Sequence, residues 1–276
     1  MPEGDTIYRA ARTLQRALGG QVVTRFETVL PQLARINVDS PILGRTVEEV
    51  TASGKWLQIH FSGGLSLLTH MLMNGSWHIY RPGEPWQRRR DEMRVLVATE
   101  KMVAVGFRIP IAEFHTEDSL SRRDGYNRLG PQVLAPEFDE HAARESLRSR
   151  PELEVAVALL NQSVLAGLGN VFKSEVCFAA RVNPFRLVAS LSENELSQLV
   201  SYSRRFMLAN VTDTSNDHPI TYTGFRRTTG RADSSERLWV YKRAGQPCRR
   251  CREPIEMQKQ GVDARVTFWC PRCQPR

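Results

Sequence analysis

The sequence predicts an α+β protein of several domains, with strands first, helices second and a cysteine ribbon last. Three observations carry this. From residue 21 to about 115 apolar and polar residues alternate in short runs, the period of half-buried strands. After Pro131 the apolar residues recur at helical spacing. Near the end stands Cys248-x2-Cys251-x18-Cys270-x2-Cys273, two pairs spaced as in a four-cysteine zinc ribbon. A chain of 276 residues is long enough for two or three domains, and we place them at 1–130, 131–221 and 222–276.

In chain order, Ile7, Ala10, Ala11, Leu14 and Leu18 lie on one face of a leading helix that Gly19-Gly20 ends. Leu57, Ile59 and Phe61 then alternate with polar residues. Ser62-Gly63-Gly64 is a hairpin turn, and Leu65, Leu67, Thr69 and Met71 continue on its far side. Further strands are expected at Met93 to Val97 and Met102 to Phe107, so this block reads as a β-sandwich or flattened barrel. The Pro-, Gly- and Arg-rich stretch from Arg81 to Arg90 reads as a solvated loop, and Pro131 to Pro151 as a connector. A helix beginning at Pro151 carries Leu153, Val157 and Leu160. A glycine-containing turn follows, and a second helix starts at Asn170, which suits an N-cap. Ser192 and Glu195 form a capping box for a third helix. Asn210 to Pro219 reads as loop.

Composition narrows the function. No apolar run reaches the roughly 18 residues of a membrane span, and the start lacks a basic-then-apolar export signal, so a cytoplasmic protein is expected. The charge of +8 is uneven: residues 222–276 hold 13 Lys/Arg against 5 Asp/Glu, whereas residues 1–221 hold 25 of each. The excess sits in the cysteine-bearing segment, which points to a polyanion-binding module.

The candidate site residues follow. Removal of Met1 would expose Pro2 as a secondary amine able to form an iminium with a carbonyl carbon. A terminal amine with a pKa near ~7.8 is roughly a tenth neutral at pH 7, far more than a lysine. Glu3 beside it could move protons. The alternative is a clipped, frayed terminus, which the anchored helix disfavours. Lys55 follows Gly54 at a strand entry and could face a cleft or solvent. Gly169 and Asn170 open a helix whose N–H groups could bind phosphate; a plain helix corner is the alternative. Arg265, among Arg249, Arg250, Arg252 and Lys259, could clamp a phosphate bidentately or be a solvated residue. Cys248, Cys251, Cys270 and Cys273 would close a shell around one structural Zn2+ per chain, leaving no open position for substrate. Cys177 reads as a buried helix residue.

Together, the opening Met1-Pro2-Glu3-Gly4-Asp5, Gly54-Lys55, His70 to Trp77, Arg128 to Pro131, Leu165 to Val171 and the ribbon from Trp239 to Cys273 resemble the bacterial formamidopyrimidine-DNA glycosylase / endonuclease VIII family. The resemblance spans nearly the whole chain. It implies a β-sandwich lobe, a helix–two-turn–helix lobe and a zinc finger, with double-stranded DNA containing damaged bases or abasic sites between the lobes. It makes Pro2 the Schiff-base nucleophile at the sugar C1′ and Glu3 the proton donor and acceptor. Lys55, Asn170 (with Gly169) and Arg265 become phosphate contacts, Arg265 also serving the second elimination, and Arg128 a further DNA contact. Leu72, Met73 and Asn74 match the wedge that fills the gap left by a flipped base. The Gly4-Asp5 start resembles the endonuclease VIII branch, and the Asp-Pro-Arg-Arg-Phe-Gly loop of the other branch is absent. Oxidised pyrimidines are therefore the expected substrates. Two features depart from that branch: its best-known wedge reads Gln-Leu-Tyr where this chain has Leu72-Met73-Asn74, Met73 matching the void-filling methionine of the other branch, and Thr6 stands where the family has a second acidic residue. A monomer in the bacterial cytoplasm, associated with the nucleoid, is expected. The competing readings are a damaged-DNA-binding protein without excision and an AP lyase with little glycosylase activity.

Overall fold

The computed structural model describes residues 2–211, 226–229 and 234–276. Met1, the expected loop beyond Val211 and the 221/222 boundary lie outside them. The chain forms two compact units that divide after Asn127.

The first unit opens with α1 (Gly4–Leu18) and continues through β1 (Arg25–Thr28), α2 (Pro31–Asp39), β2 (Val47–Ser53), β3 (Trp56–Phe61), β4 (Leu65–His70), β5 (Ser76–Tyr80), β6 (Met93–Ala98), β7 (Val103–Phe107), β8 (Ile111–Thr116) and α3 (Glu117–Ser121). The strands form two antiparallel four-stranded sheets, ordered β1-β6-β7-β5 and β2-β3-β4-β8. This is the expected sandwich. Alternation decides which side chains enter: Leu57, Ile59, Phe61 and Leu67 meet Trp77, Ile79, Val95 and Val97, and α1 adds Ile7, Leu14 and Leu18. Each fully buried aliphatic contributes roughly 1.5–3 kcal/mol, so α1 is fixed by its own apolar stripe.

The stretch from Arg81 to Arg90 is the exposed loop expected, except at Trp86, which is half-buried. Trp86 stacks on Tyr80 at 6.3 Å and meets Phe107 edge-on at 5.5 Å, beside a second apolar cluster of Tyr80, Met93, Leu96, Val105 and Phe107. Three of its arginines are paired, Arg88 with Glu92, Arg89 with Asp91 and Arg90 with Glu27. The sequence pattern missed Trp86 because one aromatic among polar residues has no period.

The second unit holds α4 (Glu140–Arg148), α5 (Val155–Leu160), α6 (Asn170–Ala179), α7 (Glu193–Ala209) and the hairpin β9 (Glu256–Gln260) and β10 (Arg265–Trp269). Here α4 overturns the connector reading of 131–151. Asp139 caps it by accepting from His141 N at 2.8 Å and Ala142 N at 3.0 Å, and it buries Ala143 and Leu147. Proline punctuation hid a helix of nine residues. The expected helix from Pro151 begins at Val155 instead. The capping box of α7 is present: Ser192 Oγ accepts from Glu195 N at 3.3 Å, and Glu195 Oε2 from Ser192 N at 2.8 Å. No helix among the described residues is long and apolar enough to cross a membrane.

Candidate active site and metal centre

In the first unit, Glu3 is the N-cap residue of α1, with extended backbone and its carbonyl accepting from Thr6 N at 2.9 Å and Ile7 N at 3.1 Å. Its side chain is completely buried, while Pro2 is half-buried. The chain start is therefore built into the sandwich rather than frayed. Asp5 is also completely buried, 3.3 Å from Thr6 Oγ1 and 3.8 Å from Arg9. In the sequence pattern Asp5 stands out only as a marker of the endonuclease VIII branch. Its burial in the first helical turn, where a carboxylate is favoured by the helix dipole, gives this end a second acidic group.

Lys55 occupies a two-residue turn between β2 and β3, with Ser53 paired to Trp56. Gly54 has φ +59 there, a left-handed position that glycine takes without strain and that matches the hairpin's twist. The adjoining His70, at the end of β4, meets the Trp56 ring edge-on at 4.7 Å. Its Nδ1 accepts from Leu72 N at 3.1 Å. Burial first, then the charges of Lys55 and Arg123, push its pKa down to about 4, so the ring is neutral at pH 7. Leu72, Met73 and Asn74 are exposed on the turn that follows, Leu72 with φ +44. The turn closes by Gly75 N donating to Met71 O at 2.9 Å. A Cβ at Gly75 would lie 2.7 Å from that oxygen, so glycine is required.

His78, on β5, is the second depressed histidine. Burial and the charge of Arg88 bring it to about 4. Both histidines are neutral in either state above pH ~6.5. As pH falls from there toward 4, the unfolded chain takes up protons that the folded one refuses, so stability falls across that window. We expect melting temperature to drop between pH 6.5 and 4. His78→Gln should flatten the drop by about one proton's worth; an unchanged slope would contradict the assignment.

In the second unit, Arg128 is exposed just before Gly130, whose N donates to Gln162 O at 2.9 Å. A Cβ at Gly130 would lie 2.5 Å from Ser163 O, which explains the glycine. Gly169, not Asn170, is the N-cap of α6. Asn170 is the first helical residue, and its Nδ2 donates to Val266 O at 2.9 Å. That bond ties the start of α6 to the residue after Arg265, which is exposed at the start of β10. Asn170 and Arg265 are thus brought to one place.

The ribbon is stapled to the helices by buried polar groups that sequence reading did not find. Glu175 on α6 is completely buried and accepts from the backbone N of Trp239, Val240 and Tyr241 at 2.8–2.9 Å. Gln260 donates to Glu154 at 2.7 Å and to Pro184 O at 2.9 Å. A polar residue inside a helical apolar pattern was the available signal. Part of the basic surplus is structural: Arg250 lies 4.3 Å over Phe178, and Arg249 donates to Leu238 O at 3.0 Å. Arg252, Lys259 and Arg265 stay exposed.

Cys248, Cys251, Cys270 and Cys273 present four sulfurs within 4.8 Å of one another. The Cys248–Cys273 and Cys251–Cys270 distances are 3.9 and 3.4 Å. A tetrahedral ion with bonds of about 2.3 Å requires sulfur–sulfur edges of about 3.8 Å, so the set fits one metal ion. Burial and the neighbouring Cys251 and Cys248 sulfurs push the Cys270 thiol up to about 11. Cys177 is buried in α6, as expected, and burial pushes its thiol up to about 12.

Residues 1–108 match the family described as formamidopyrimidine-DNA glycosylase N-terminal domain. Residues 129–218 match the formamidopyrimidine-DNA glycosylase H2TH domain, and 245–276 the zinc finger found in FPG and IleRS. The chain is 38% identical to a probable endonuclease 8 2 of Streptomyces coelicolor, over 99% of this chain and 94% of that one. It is 34% identical to the DNA-(apurinic or apyrimidinic site) lyase Nei2 of Mycolicibacterium smegmatis, over 99% of both. Among solved structures it is similar in fold to Lactococcus lactis Fpg in a complex with abasic-site DNA. That likeness has a TM-score of 0.81 at 22% identity and covers 99% of this chain and 100% of that one.

Proposed function

The chain belongs to the formamidopyrimidine-DNA glycosylase and endonuclease VIII family, and from that premise we propose that it is a base-excision-repair DNA glycosylase with AP lyase activity. The observation that carries this reading is the buried Glu3 at the head of an anchored helix, directly after Pro2. Once Met1 is removed, the Pro2 nitrogen attacks C1′ of a flipped nucleotide. The N–C1′ bond forms, the glycosidic bond breaks, and the departing base takes a proton, which Glu3 supplies. The Pro2 nitrogen then passes its own proton to Glu3, which returns it to O4′ as the C1′–O4′ bond opens, leaving an iminium that acidifies C2′; loss of the C2′ proton breaks the C3′–O bond and nicks the strand. A further elimination releases the 5′ phosphate, and water frees the amine. Lys55 holds the phosphate beside the lesion. The second N–H of the Asn170 amide and the Arg265 fork grip the backbone. Gly169 permits close approach, Arg128 adds a contact, and Leu72, Met73 and Asn74 enter the gap left by the base.

The four cysteines hold one structural Zn2+ in a closed shell. On this reading the chain divides into domains 1–130, 131–221 and 222–276, acts as a monomer on damaged double-stranded DNA, and works in the bacterial cytoplasm at the nucleoid. The Gly4-Asp5 start and the likeness to endonuclease 8 sequences favour oxidised pyrimidines. An AP lyase with little excision is the second reading, favoured by the name of the Mycolicibacterium relative.

Duplexes carrying thymine glycol, dihydrouracil, 8-oxoguanine or a plain abasic site, each trapped with borohydride, separate the two. We expect a covalent adduct with an oxidised pyrimidine. An adduct on the abasic site alone would establish the lyase, and no adduct on any duplex would end the enzyme reading.

A further inference from the structure

We propose that Arg123 and Tyr126 are positioning residues for Lys55, acting through the two residues that flank its turn; this rests on the phosphate-binding role read for Lys55 above. Nothing in the sequence pattern marks the segment 117–127, which follows β8 and crosses the outer face of the β2-β3-β4-β8 sheet. The structure gives it two fixed anchors there.

The Tyr126 hydroxyl lies 3.3 Å from Ser53 Oγ and 3.0 Å from Gln58 Oε1. Its ring meets Trp56 edge-on at 6.4 Å. The Arg123 guanidinium lies 4.4 Å over the Trp56 ring. Glu113 holds that guanidinium from below with two bonds, 3.0 Å to Nε and 3.1 Å to Nη2. Glu113 is held in turn by His115 at 3.1 Å. Trp56 and Gln58 are buried, so these contacts do not swing with solvent.

Ser53 and Trp56 are the paired residues on either side of Gly54-Lys55. The strap therefore grips both posts of the turn that carries Lys55. A two-residue turn at a sheet end would otherwise tilt on its strands, and a lysine has a long flexible stem. Fixing the backbone beneath it narrows where the ammonium can reach. A displacement near 1 Å at a reacting centre can cost about a hundredfold in rate, so a modest tilt is expected to be measurable. Arg123 cannot be replaced by lysine without loss. The planar guanidinium alone can stack on Trp56 while forking to Glu113.

The test is a double-mutant cycle on the full chain, read as single-turnover strand nicking at a preformed abasic site. The variants are Tyr126→Phe, Arg123→Lys, Arg123→Gln and Lys55→Ala, with the first three also made in the Lys55→Ala background. We expect Tyr126→Phe and Arg123→Gln to slow nicking about tenfold each, and Arg123→Lys to recover little. In the Lys55→Ala background the same changes should cost nothing further. Tyr126→Phe removes only a hydroxyl, so its melting temperature serves as the folding control. Equal losses with and without Lys55, or no loss in a chain that Lys55→Ala impairs, would overturn the strap. Full activity in Lys55→Ala itself would instead overturn the role read for Lys55, and the positioning proposal with it.

Discussion

Glu3→Gln is expected to lower base excision by a factor of about 10²–10⁴, the usual contribution of a positioned general acid or base. The same variant should still form a trapped adduct with a preformed abasic site, because the amine of Pro2 is untouched. Glu3 is completely enclosed, and its backbone closes the first turn of α1 through Thr6 and Ile7. Glutamine keeps the shape and the hydrogen-bonding oxygen but cannot give or take the proton. A loss confined to excision would assign Glu3 to proton transfer at the base. Equal loss on both substrates would point to a damaged site, and no loss on either would remove Glu3 from the mechanism.

Cys270→Ser is expected to abolish stoichiometric zinc and, with it, detectable DNA binding. Cys248 and Cys270 are buried in a cluster with Phe178, Val240, Ile255 and Phe268. That cluster is too small to order the ribbon alone. Structural zinc in small fingers is worth about 10–16 kcal/mol, far more than a few buried side chains. Opening the ribbon would also release Gln260 and Gln274 from the helical core and strip Asn170 of its partner on β10. Elemental analysis should find one zinc per chain in the parent and none in Cys270→Ser. Cys177→Ala, which removes the buried thiol of α6, should keep one. Zinc retained by Cys270→Ser with unchanged DNA affinity would refute the four-thiolate site.

Much of this was legible in the chain because its signals are periodic or fixed in spacing. The inward residues of β3 and β4 alternate strictly, and they form the sandwich core as expected. Ser192 and Glu195 cap α7 by the three-residue spacing that marks the box. The x2 cysteine pairs converge on one point. What was not legible depends on contacts between distant residues. Trp86 covers Tyr80 and Phe107, and no local pattern announces it. Helix α4 was masked by flanking prolines, although Asp139 is an ordinary cap. Glu175 and Gln260 sit in apolar surroundings only because their partners arrive from elsewhere in the chain. Asn170 illustrates both sides. Its place at the start of α6 was readable, but its bond to Val266 on β10 was not.

The most direct measurement is peptide mass spectrometry of the borohydride-trapped complex formed on an oxidised-pyrimidine duplex. The account predicts a single adduct whose mass equals the chain without Met1 plus the reduced sugar fragment, located on the nitrogen of Pro2. An adduct carried by a lysine, or by a chain that still bears Met1 or an acetyl group on its first residue, would contradict it.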